Sequence, residues 1–399
     1  MNYKNDFPIF KNNPDLVFFD STSTSQKPSM VIDGIKDYLE STYSNIHRGM
    51  YDVAVDSEKL YKKSKEIVAS SINADSYKEV IYSYNSTYAL NLLSSSIKKS
   101  WILKAWDKVL LSIVEHHANL VPWLMLKEEI GIEVDFVWVD ENYNLDFEDF
   151  EKKYDSSVKI ISMTHVSNVT WQIFNLNKVW KLKREDTLFI VDASQSVPHF
   201  KVDVKELNCD ALFFTGHKVF ADSGIWVLWA KKDLLNSLTP SFSWGWAIGE
   251  VYCDSYTTAW LPDKFEPGTP NVSWAVSLLR AFEYIQSIWW FEKIDQIEEE
   301  LIEYFLVKLS NYKNIKIIGS STKENRVWVF SLVIDWYHSD DVAEFLADNN
   351  IAVRSGKHCA HPLFKNKWYA NSIRVSFYIY NDKSDIDKFF SVIDDLLWK

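Results

Sequence analysis

The sequence predicts an α/β protein with a large, mainly parallel central sheet and a smaller α+β domain at the carboxyl end. Apolar runs rich in β-branched and aromatic residues recur with helix-like segments between most of them, which is the spacing of a parallel sheet. These runs are 80–84, 108–114, 134–139, 158–164, 187–191 and 211–214. After expected helices at 272–287 and 294–309, the pattern changes to strands at 327–334 and 373–380, with helices near 340–349 and 383–397. We expect a large domain at residues 26–287 and a small domain at residues 1–25 and 288–399.

The composition is that of an ordinary globular protein: 399 residues, 47% of them hydrophobic and 25% charged. A formal charge of -12 at pH 7 argues against nucleic acid or an anionic membrane as a partner, because both need a basic patch. No apolar stretch approaches a membrane span, and residues 1–14 lack the apolar core of a signal peptide. We therefore expect a cytoplasmic protein that acts on small molecules and other proteins.

The three cysteines, Cys209, Cys253 and Cys359, are widely spaced and odd in number, which fits neither a disulfide framework nor a zinc site. We expect reduced thiols and no metal. Cys359 lies beside a histidine, with Arg354 and Lys357 a few residues upstream. Nearby cations lower the pKa of a thiol and so favour the nucleophilic thiolate. Taken alone, the segment is equally compatible with a small buried core cysteine.

Tryptophan and glycine occur in unusual numbers. The chain holds 10 glycines and 18 tryptophans, whereas about 28 glycines are expected at a usage of roughly 7%. Several tryptophans, among them Trp106, Trp171, Trp244 and Trp246, lie in turn-like contexts that favour glycine. We therefore hypothesise that most of them are glycine in the natural protein, as a source that reads the UGA codon as glycine would produce. The alternative is an aromatic-rich protein.

Polar and titratable residues follow the ends of several expected strands. Glu115 and His116 come after the run 108–114, Asn168 follows 158–164, Asp192 follows 187–191, and Lys218 comes soon after 211–214. The carboxyl ends of parallel strands meet at one edge of a sheet, where α/β proteins bind ligands. These residues are therefore expected to share a site.

Two of these residues suit pyridoxal phosphate (PLP). Lys218 lies just past a buried strand, where desolvation favours the neutral amine needed for a Schiff base, and Asp192 could pair with the pyridine nitrogen. The phosphate needs hydroxyls and free amides at a helix start, which the segment 85–87 (Asn-Ser-Thr) offers. His116 could stack on the ring, although a lone histidine after a strand is more often a hydrogen-bonded core residue.

Six segments together resemble one family, the SufS-type (group II) cysteine desulfurases. They occur in the family's order from about Asp20 to the carboxyl end. The segments are 45–49 (Asn-Ile-His-Arg-Gly), 115–119 (Glu-His-His-Ala-Asn) with Val121-Pro-Trp123, 165–168 (His-Val-Ser-Asn), 213–218 (Phe-Phe-Thr-Gly-His-Lys), 265–270 (Phe-Glu-Pro-Gly-Thr-Pro) and 354–362 (Arg-Ser-Gly-Lys-His-Cys-Ala-His-Pro). The resemblance implies the class V aminotransferase family, PLP fold type I and a homodimer.

The resemblance also implies roles for individual residues. Lys218 would hold PLP, Asp192 would pair with its pyridine nitrogen, and His116 would stack on the ring and assist proton transfer. The ring hydroxyl side would be addressed by Asn168 and Gln195. The phosphate would be bound by Ser86, Thr87, Thr215, His217 and, from the partner subunit, Thr269. The substrate would be bound by Arg374, which clamps its carboxylate, and by Asn45, His47, Arg48 and Arg354.

The implied reaction converts L-cysteine to L-alanine and leaves a persulfide on Cys359, from which an acceptor protein of the SufE or SufU kind takes the sulfur for iron–sulfur cluster assembly. A selenocysteine lyase or a cysteine sulfinate desulfinase would use the same residues, and a non-catalytic sulfur-assembly scaffold is a further alternative. The chain departs from the family at Tyr88, usually acidic, and at Ala221-Asp222, usually Gly-Pro. Against the family, Trp106, Trp171, Trp226, Trp244, Trp246, Trp274, Trp328 and Trp368 fall on usual glycine positions.

Overall fold

The computed structural model describes residues 3–84, 86–243, 245–288 and 290–398, with the side chains of residues 86, 87, 290–292 and 295 outside that description. Its strands are β1 (Val17–Phe18), β2 (Val80–Ser83), β3 (Lys108–Ser112), β4 (Glu133–Val137), β5 (Val158–Thr164), β6 (Leu188–Asp192), β7 (Ala211–Thr215), β8 (Trp226–Ala230), β9 (Ile248–Val251), β10 (Tyr256–Thr258), β11 (Ile315–Ile318), β12 (Val329–Ile334), β13 (Ile351–Ala352), β14 (Arg354–Gly356) and β15 (Ser372–Ser376). Its helices are α1 (Pro8–Asn12), α2 (Ser29–Ser41), α3 (Asp52–Ser71), α4 (Ser86–Lys99), α5 (Val121–Ile130), α6 (Phe147–Lys153), α7 (Leu176–Leu182), α8 (Val204–Leu207), α9 (Lys232–Ser237), α10 (Val272–Ser287), α11 (Trp290–Leu309), α12 (Ser339–Asp348), α13 (His361–Asn366) and α14 (Lys383–Leu397).

A seven-stranded sheet of order β2-β8-β7-β6-β5-β3-β4 forms the centre of the large part of the protein. Strands β7, β6, β5, β3 and β4 are parallel to one another, whereas β8 is antiparallel to both β7 and β2. The predicted, mainly parallel sheet is confirmed, and each of the six predicted runs forms one of its strands. Strand β8 was not predicted. In the register of the sheet Thr164 pairs with Asp192, and Asp192 pairs with Phe213, so these strand ends lie level.

Alternate residues of the central strands enter two separate cores. On β3, Val109 and Leu111 pack into one core together with Trp123 of α5, while Leu110 faces the other core. The same alternation places Ile190 of β6 on the side of Val109 and its neighbours on the opposite side. Burial of one such aliphatic side chain contributes about 1.5–3 kcal/mol. A sheet covered on both faces leaves its carboxyl edge as the place for a ligand.

The carboxyl-terminal part contains a four-stranded antiparallel sheet of order β11-β12-β15-β14. Phe305 of α11 stacks on Phe330 of β12, with ring centroids 4.2 Å apart. The amino-terminal strand β1 pairs with β13 in parallel, and Asp20 forms an isolated bridge with Ser376. The first residues thus join the carboxyl-terminal sheet, in line with the expected grouping of 1–25 with 288–399. The domain boundaries themselves stay a prediction.

Six tryptophans of the described residues have a positive φ, namely Trp101, Trp106, Trp171, Trp246, Trp336 and Trp368, with φ between 58° and 75°. In this left-handed region a Cβ is strained, and a bulky residue there is an outlier. The Trp274 ring packs tightly against Gly224 (φ 96°): a Cβ built on this glycine would lie only 2.5 Å from the ring. Backbone conformations suited to glycine therefore recur at tryptophan positions, which supports the hypothesis of recoding.

No helix in the described part of the chain is long and apolar enough to cross a membrane. In the same residues, His, Cys, Asp and Glu side chains form no group of three that could hold a metal ion. All three cysteines are free: Cys209 is buried, and Cys253 and Cys359 are exposed.

Candidate active site

A cavity of about 480 Å³ opens at the carboxyl edge of the central sheet, between it and the carboxyl-terminal sheet. It collects side chains from four neighbouring strand ends and from the segment that bears Cys359. Nine of the predicted site residues line it: His116, Asn168, Asp192, Gln195, His217, Lys218, Arg354, Cys359 and Arg374. The structure thus brings these strand ends together around one cavity.

Lys218 follows β7 on a short 3-10 turn, Gly216–Lys218. Burial lowers the pKa of its ammonium to about 8; nearby Asp192 opposes this shift and Arg374 adds to it. The preceding carbonyl, His217 O, accepts hydrogen bonds from the Ser25 N–H (3.0 Å) and from Lys27 Nζ (3.0 Å). The amine is therefore held on a fixed backbone and is partly neutral near neutral pH, as a nucleophilic lysine must be.

Asp192 ends β6 and is buried. Its Oδ1 accepts the Ser194 N–H at 2.9 Å. Burial raises the pKa of its carboxyl, while the hydrogen bond and the charge of Lys218 act in the opposite direction. Gln195 lies on the turn after Asp192, where its Nε2 donates to Thr22 O at 3.3 Å. A buried carboxylate facing a cavity is suited to pair with a protonated ring nitrogen.

His116 follows β3, and its ring accepts the Ala118 N–H at Nδ1 (3.1 Å). Burial and the charge of Lys218 lower its pKa to about 3, so the ring is neutral. Because Nδ1 is an acceptor, the proton lies on Nε2. The neighbouring Glu115 accepts from Thr164 N–H (2.9 Å) and Asn119 Nδ2 (2.6 Å), and thereby ties β5 to the turn that holds His116. The motif that contains Glu115 was recognised in the sequence, but this role of the Glu115 carboxylate was not.

Arg374 of β15 is buried, and its Nη2 donates to Ser23 Oγ at 2.6 Å. Ser23 Oγ in turn donates to Asp20 Oδ1 at 2.6 Å, and Asp20 also holds Arg354 through Nη2 at 3.0 Å. Arg374 Nε is buried without a hydrogen-bond partner, so one N–H group remains for a bound anion. Sequence reasoning missed Asp20 and Ser23; the polar run that follows β1 was the available signal.

Cys359 lies on the segment 354–361, which we call the thiol loop. Two successive residues, His358 (φ 49°) and Cys359 (φ 56°), adopt the left-handed conformation. The loop is tied to the large sheet because Asn168 Nδ2 donates to His358 O at 2.6 Å, and to β15 because His358 Nε2 contacts Ser372 Oγ at 2.9 Å. The thiol is thus exposed at the mouth of the cavity. It is not a core cysteine.

Other predicted residues do not line this cavity. Thr269 lines a separate small cavity of about 60 Å³ with Tyr84, Tyr88 and Trp274. The segment that contains Asn45, His47 and Arg48 packs on Trp246 instead: the His47 ring lies 4.7 Å and the Arg48 guanidinium carbon 5.1 Å from the Trp246 ring.

The predicted phosphate site is described only in part. Asn85 and the side chains of Ser86 and Thr87 lie outside the described residues. Thr215, at the end of β7, is buried, and its hydroxyl has no hydrogen-bond partner. Trp226 pairs with Thr215 in the sheet and lines the cavity.

These residues fit PLP. An amine of lowered pKa, a buried carboxylate and a neutral imidazole share one cavity, and the unpartnered polar atoms, Thr215 Oγ1 and Arg374 Nε, match an absent phosphate and an absent carboxylate. Buried polar groups normally have partners, so such unsatisfied atoms indicate a missing ligand.

Comparisons with known proteins agree with this geometry. The family model "Aminotransferase class-V" matches residues 17–389. Among curated proteins, "Probable cysteine desulfurase" of Synechocystis sp. is 35% identical over 391 residues, covering 97% of this chain and 93% of the relative. The apo structure of a cysteine desulfurase from Thermococcus onnurineus NA1 superposes with a TM-score of 0.93 at 31% identity, covering 98% of this chain and 96% of that one. The cysteine desulfurase CsdA from Escherichia coli, in its S-sulfonic acid form, gives a TM-score of 0.90 at 28% identity, covering 99% and 97%. The chain belongs to the class-V aminotransferase family.

Proposed function

We propose that this chain is a PLP-dependent cysteine desulfurase that converts L-cysteine to L-alanine and stores the sulfur as a persulfide on Cys359. The observation that carries the proposal is the presence of an amine, a buried carboxylate, a buried guanidinium and an exposed thiol around one cavity: Lys218, Asp192, Arg374 and Cys359. A PLP enzyme without sulfur chemistry has no need of the thiol. The names of the relatives support the same activity.

The cofactor would be held by the strand-end residues. Lys218 would bond it covalently, Asp192 would pair with the pyridine nitrogen, and His116 would stack on the ring, with Asn168 and Gln195 on the hydroxyl side. The phosphate would be bound by Ser86, Thr87, Thr215 and His217. When bound, PLP supplies an electron sink for charge that develops at the substrate Cα.

A homodimer would complete the site. Thr269, Asn45, His47 and Arg48 lie away from the cavity of their own chain, and we assign them to the site of a second copy, with Thr269 near the phosphate and the other three near the substrate. Arg374 would clamp the substrate carboxylate by a bidentate pair, which a lysine could not form. Arg354 would add positive charge at the same end.

In the sulfur transfer, the Cys359 thiolate attacks the sulfur of L-cysteine. The bond between that sulfur and the substrate Cβ breaks, and Cβ gains a proton. The substrate carbon is reduced while sulfur is oxidised to the persulfide level, so L-cysteine and one thiol give L-alanine and one persulfide without a further reactant. The neutral Lys218 amine would take the Cα proton, and His116 would return a proton through its Nε2–H.

We place the enzyme in the SufS-type group, in the cytoplasm, with an acceptor protein of the SufE or SufU kind that passes the sulfur to iron–sulfur cluster assembly. The order of the six motifs along the chain supports this group. We also propose that residues 26–287 form the large domain and residues 1–25 and 288–399 the small one, because β1 pairs with β13.

The test is to incubate the purified protein with L-cysteine and measure L-alanine and protein-bound persulfide by mass spectrometry. We expect one persulfide on Cys359, and none in Cys359→Ala. The matched control is Cys253→Ala, which removes an exposed thiol outside the cavity and should leave the yield unchanged. Alanine release from L-selenocysteine but not from L-cysteine would identify a selenocysteine lyase, and release from neither, or from cysteine sulfinate alone, would reject the desulfurase.

A further inference from the structure

His117 contacts the thiol loop at two points, Cys359 itself and His361 two residues further on. Its backbone N–H donates to Cys359 O at 2.8 Å. Its ring nitrogen Nε2 accepts the N–H of His361 at 3.3 Å, and the two rings meet edge to face, with centroids 4.5 Å apart. Cys359 and the residues that follow it are thus held by two hydrogen bonds to one neighbour, which lies on the turn that also carries His116.

The ring contact requires an uncharged imidazole. Nε2 can accept a hydrogen bond only while it carries no proton, so the ring proton lies on Nδ1. Partial burial and the nearby His361 ring lower the pKa of His117, which favours this neutral form. A protonated ring would place an N–H donor against the N–H of His361, and the contact would be lost.

We propose that His117 is a positioning residue. As a neutral imidazole it holds the thiol loop in the conformation that presents Cys359 to the cavity, and upon protonation it releases the carboxyl-terminal side of that loop. The proposal rests on the proposed function only in giving Cys359 its task. The geometry of the loop itself does not depend on that activity. Holding the thiol near the cavity favours attack on a bound substrate, because a fixed approach replaces a search by a mobile loop.

The titratable groups near His117 in the described structure are few. His116 lies on the same turn, with ring centroids 6.5 Å apart, and with a pKa of about 3 it stays neutral above pH 5. The thiol loop and the start of α13 contribute Cys359 and His361. His358 faces the other way, toward Ser372, and its pKa is lowered to about 2 by burial. Mutations therefore need to distinguish the titration of the His117 ring from that of the His361 ring.

The experiment measures hydrogen exchange at the His361 amide, from peptides spanning residues 358–364, between about pH 5 and about pH 8 in the holoenzyme without substrate. Rates are corrected for the intrinsic pH dependence of exchange. A hydrogen bond of about 1 kcal/mol corresponds to roughly fivefold protection. In the unmodified chain we expect this protection at the upper pH and its loss at the lower pH. His361→Ala keeps the backbone donor and should move the transition to higher pH.

Two substitutions at one position separate positioning from simple folding effects. His117→Gln retains a side-chain acceptor that does not titrate, and should keep the protection at every pH. His117→Leu retains bulk without an acceptor, and should lose it at every pH. The control is His338→Gln, at an exposed histidine that caps α12, which should behave as the unmodified chain does.

A second measurement is the alkylation rate of Cys359 by iodoacetamide, which we expect to differ between the Leu and Gln variants at the same pH. Equal protection in the Leu and Gln variants, or a pH transition that persists in the Gln variant, would overturn the proposal. Neither readout uses L-cysteine, so the proposal can fail while the desulfurase stands, and the reverse.

Discussion

Replacing four exposed tryptophans by glycine should stabilise this protein. Trp101, Trp106, Trp336 and Trp368 have positive φ and exposed fractions of 79%, 76%, 90% and 93%. Their indoles therefore contribute little packing that a substitution could remove. The change is the combined variant Trp101→Gly, Trp106→Gly, Trp336→Gly and Trp368→Gly, and a larger free energy of unfolding is the expected result.

The magnitude follows from the backbone. A left-handed conformation costs a residue with a Cβ about 1–2 kcal/mol, and replacing it by glycine removes this cost. Glycine also makes the unfolded chain more flexible, which lowers the free energy of unfolding by about 0.5–1 kcal/mol. The net gain is about 0.5–1 kcal/mol at each site, or about 2–4 kcal/mol for all four if the sites act independently. With about 2.1 cal/mol/K of unfolding entropy per residue, a chain of 399 residues should gain about 2–5 °C in Tm.

Calorimetry of the parent and the variant, both loaded with cofactor at one protein concentration, measures this shift. The matched control is Trp398→Gly, because Trp398 is 89% exposed but has φ −88°, and glycine there should bring no gain. An unchanged or lower Tm in the fourfold variant would refute the reasoning, since strain would then be absent at positions where the backbone requires it.

Three further outcomes are expected. Mass spectrometry of the peptide containing residue 171, from protein made in its natural source, should show the mass of glycine; an indole there would reject recoding. In cofactor-free protein, the rate of covalent PLP binding should rise with pH and reach half its maximum near pH 8, because the pKa of Lys218 is lowered to about 8 and only the unprotonated amine reacts. The Lys218→Ala variant should show no visible absorbance band from a covalently held cofactor, and a band retained in that variant would contradict the assignment. Asp20→Asn removes the carboxylate shared by Arg354 and Arg374. It should raise KM for L-cysteine roughly tenfold with little change in kcat, as loss of one charge-assisted contact predicts. An unchanged or lower KM would show that Asp20 does not orient the Arg374 guanidinium.

The sequence was sufficient for the parts of the fold that rest on local pattern. Strands β3, β5 and β6 are short apolar runs between helices, and their polar ends pointed directly to His116, Asn168 and Asp192. Strand β8 was not predicted because its apolar run begins only eight residues after Lys218 and because it runs antiparallel to the preceding strand, β7. A period of hydrophobic residues does not reveal such a reversal.

Residues placed by tertiary contact were harder to find. Asp20 reaches Arg354 only because β1 pairs with β13, a contact between segments more than 300 residues apart. The motif that contains Asn45 and His47 was recognised, but a linear sequence does not tell which copy of the chain receives it. The bond between the His117 ring and the His361 amide depends on a loop conformation with two successive left-handed residues, His358 and Cys359. Positive φ is uncommon outside glycine, so the sequence did not predict two such residues in a row.

The hydrogen bond from Asn168 to the His358 carbonyl joins a group on the cofactor side to the loop that bears the thiol. Thermodynamic linkage makes such a connection reciprocal. If cofactor binding stabilises Asn168 in this orientation, it stabilises the closed loop by the same factor, and a protein that draws the loop outward weakens cofactor affinity by that factor. An acceptor that collects sulfur would then also loosen the cofactor, so an enzyme saturated with acceptor should need more free PLP to remain fully loaded.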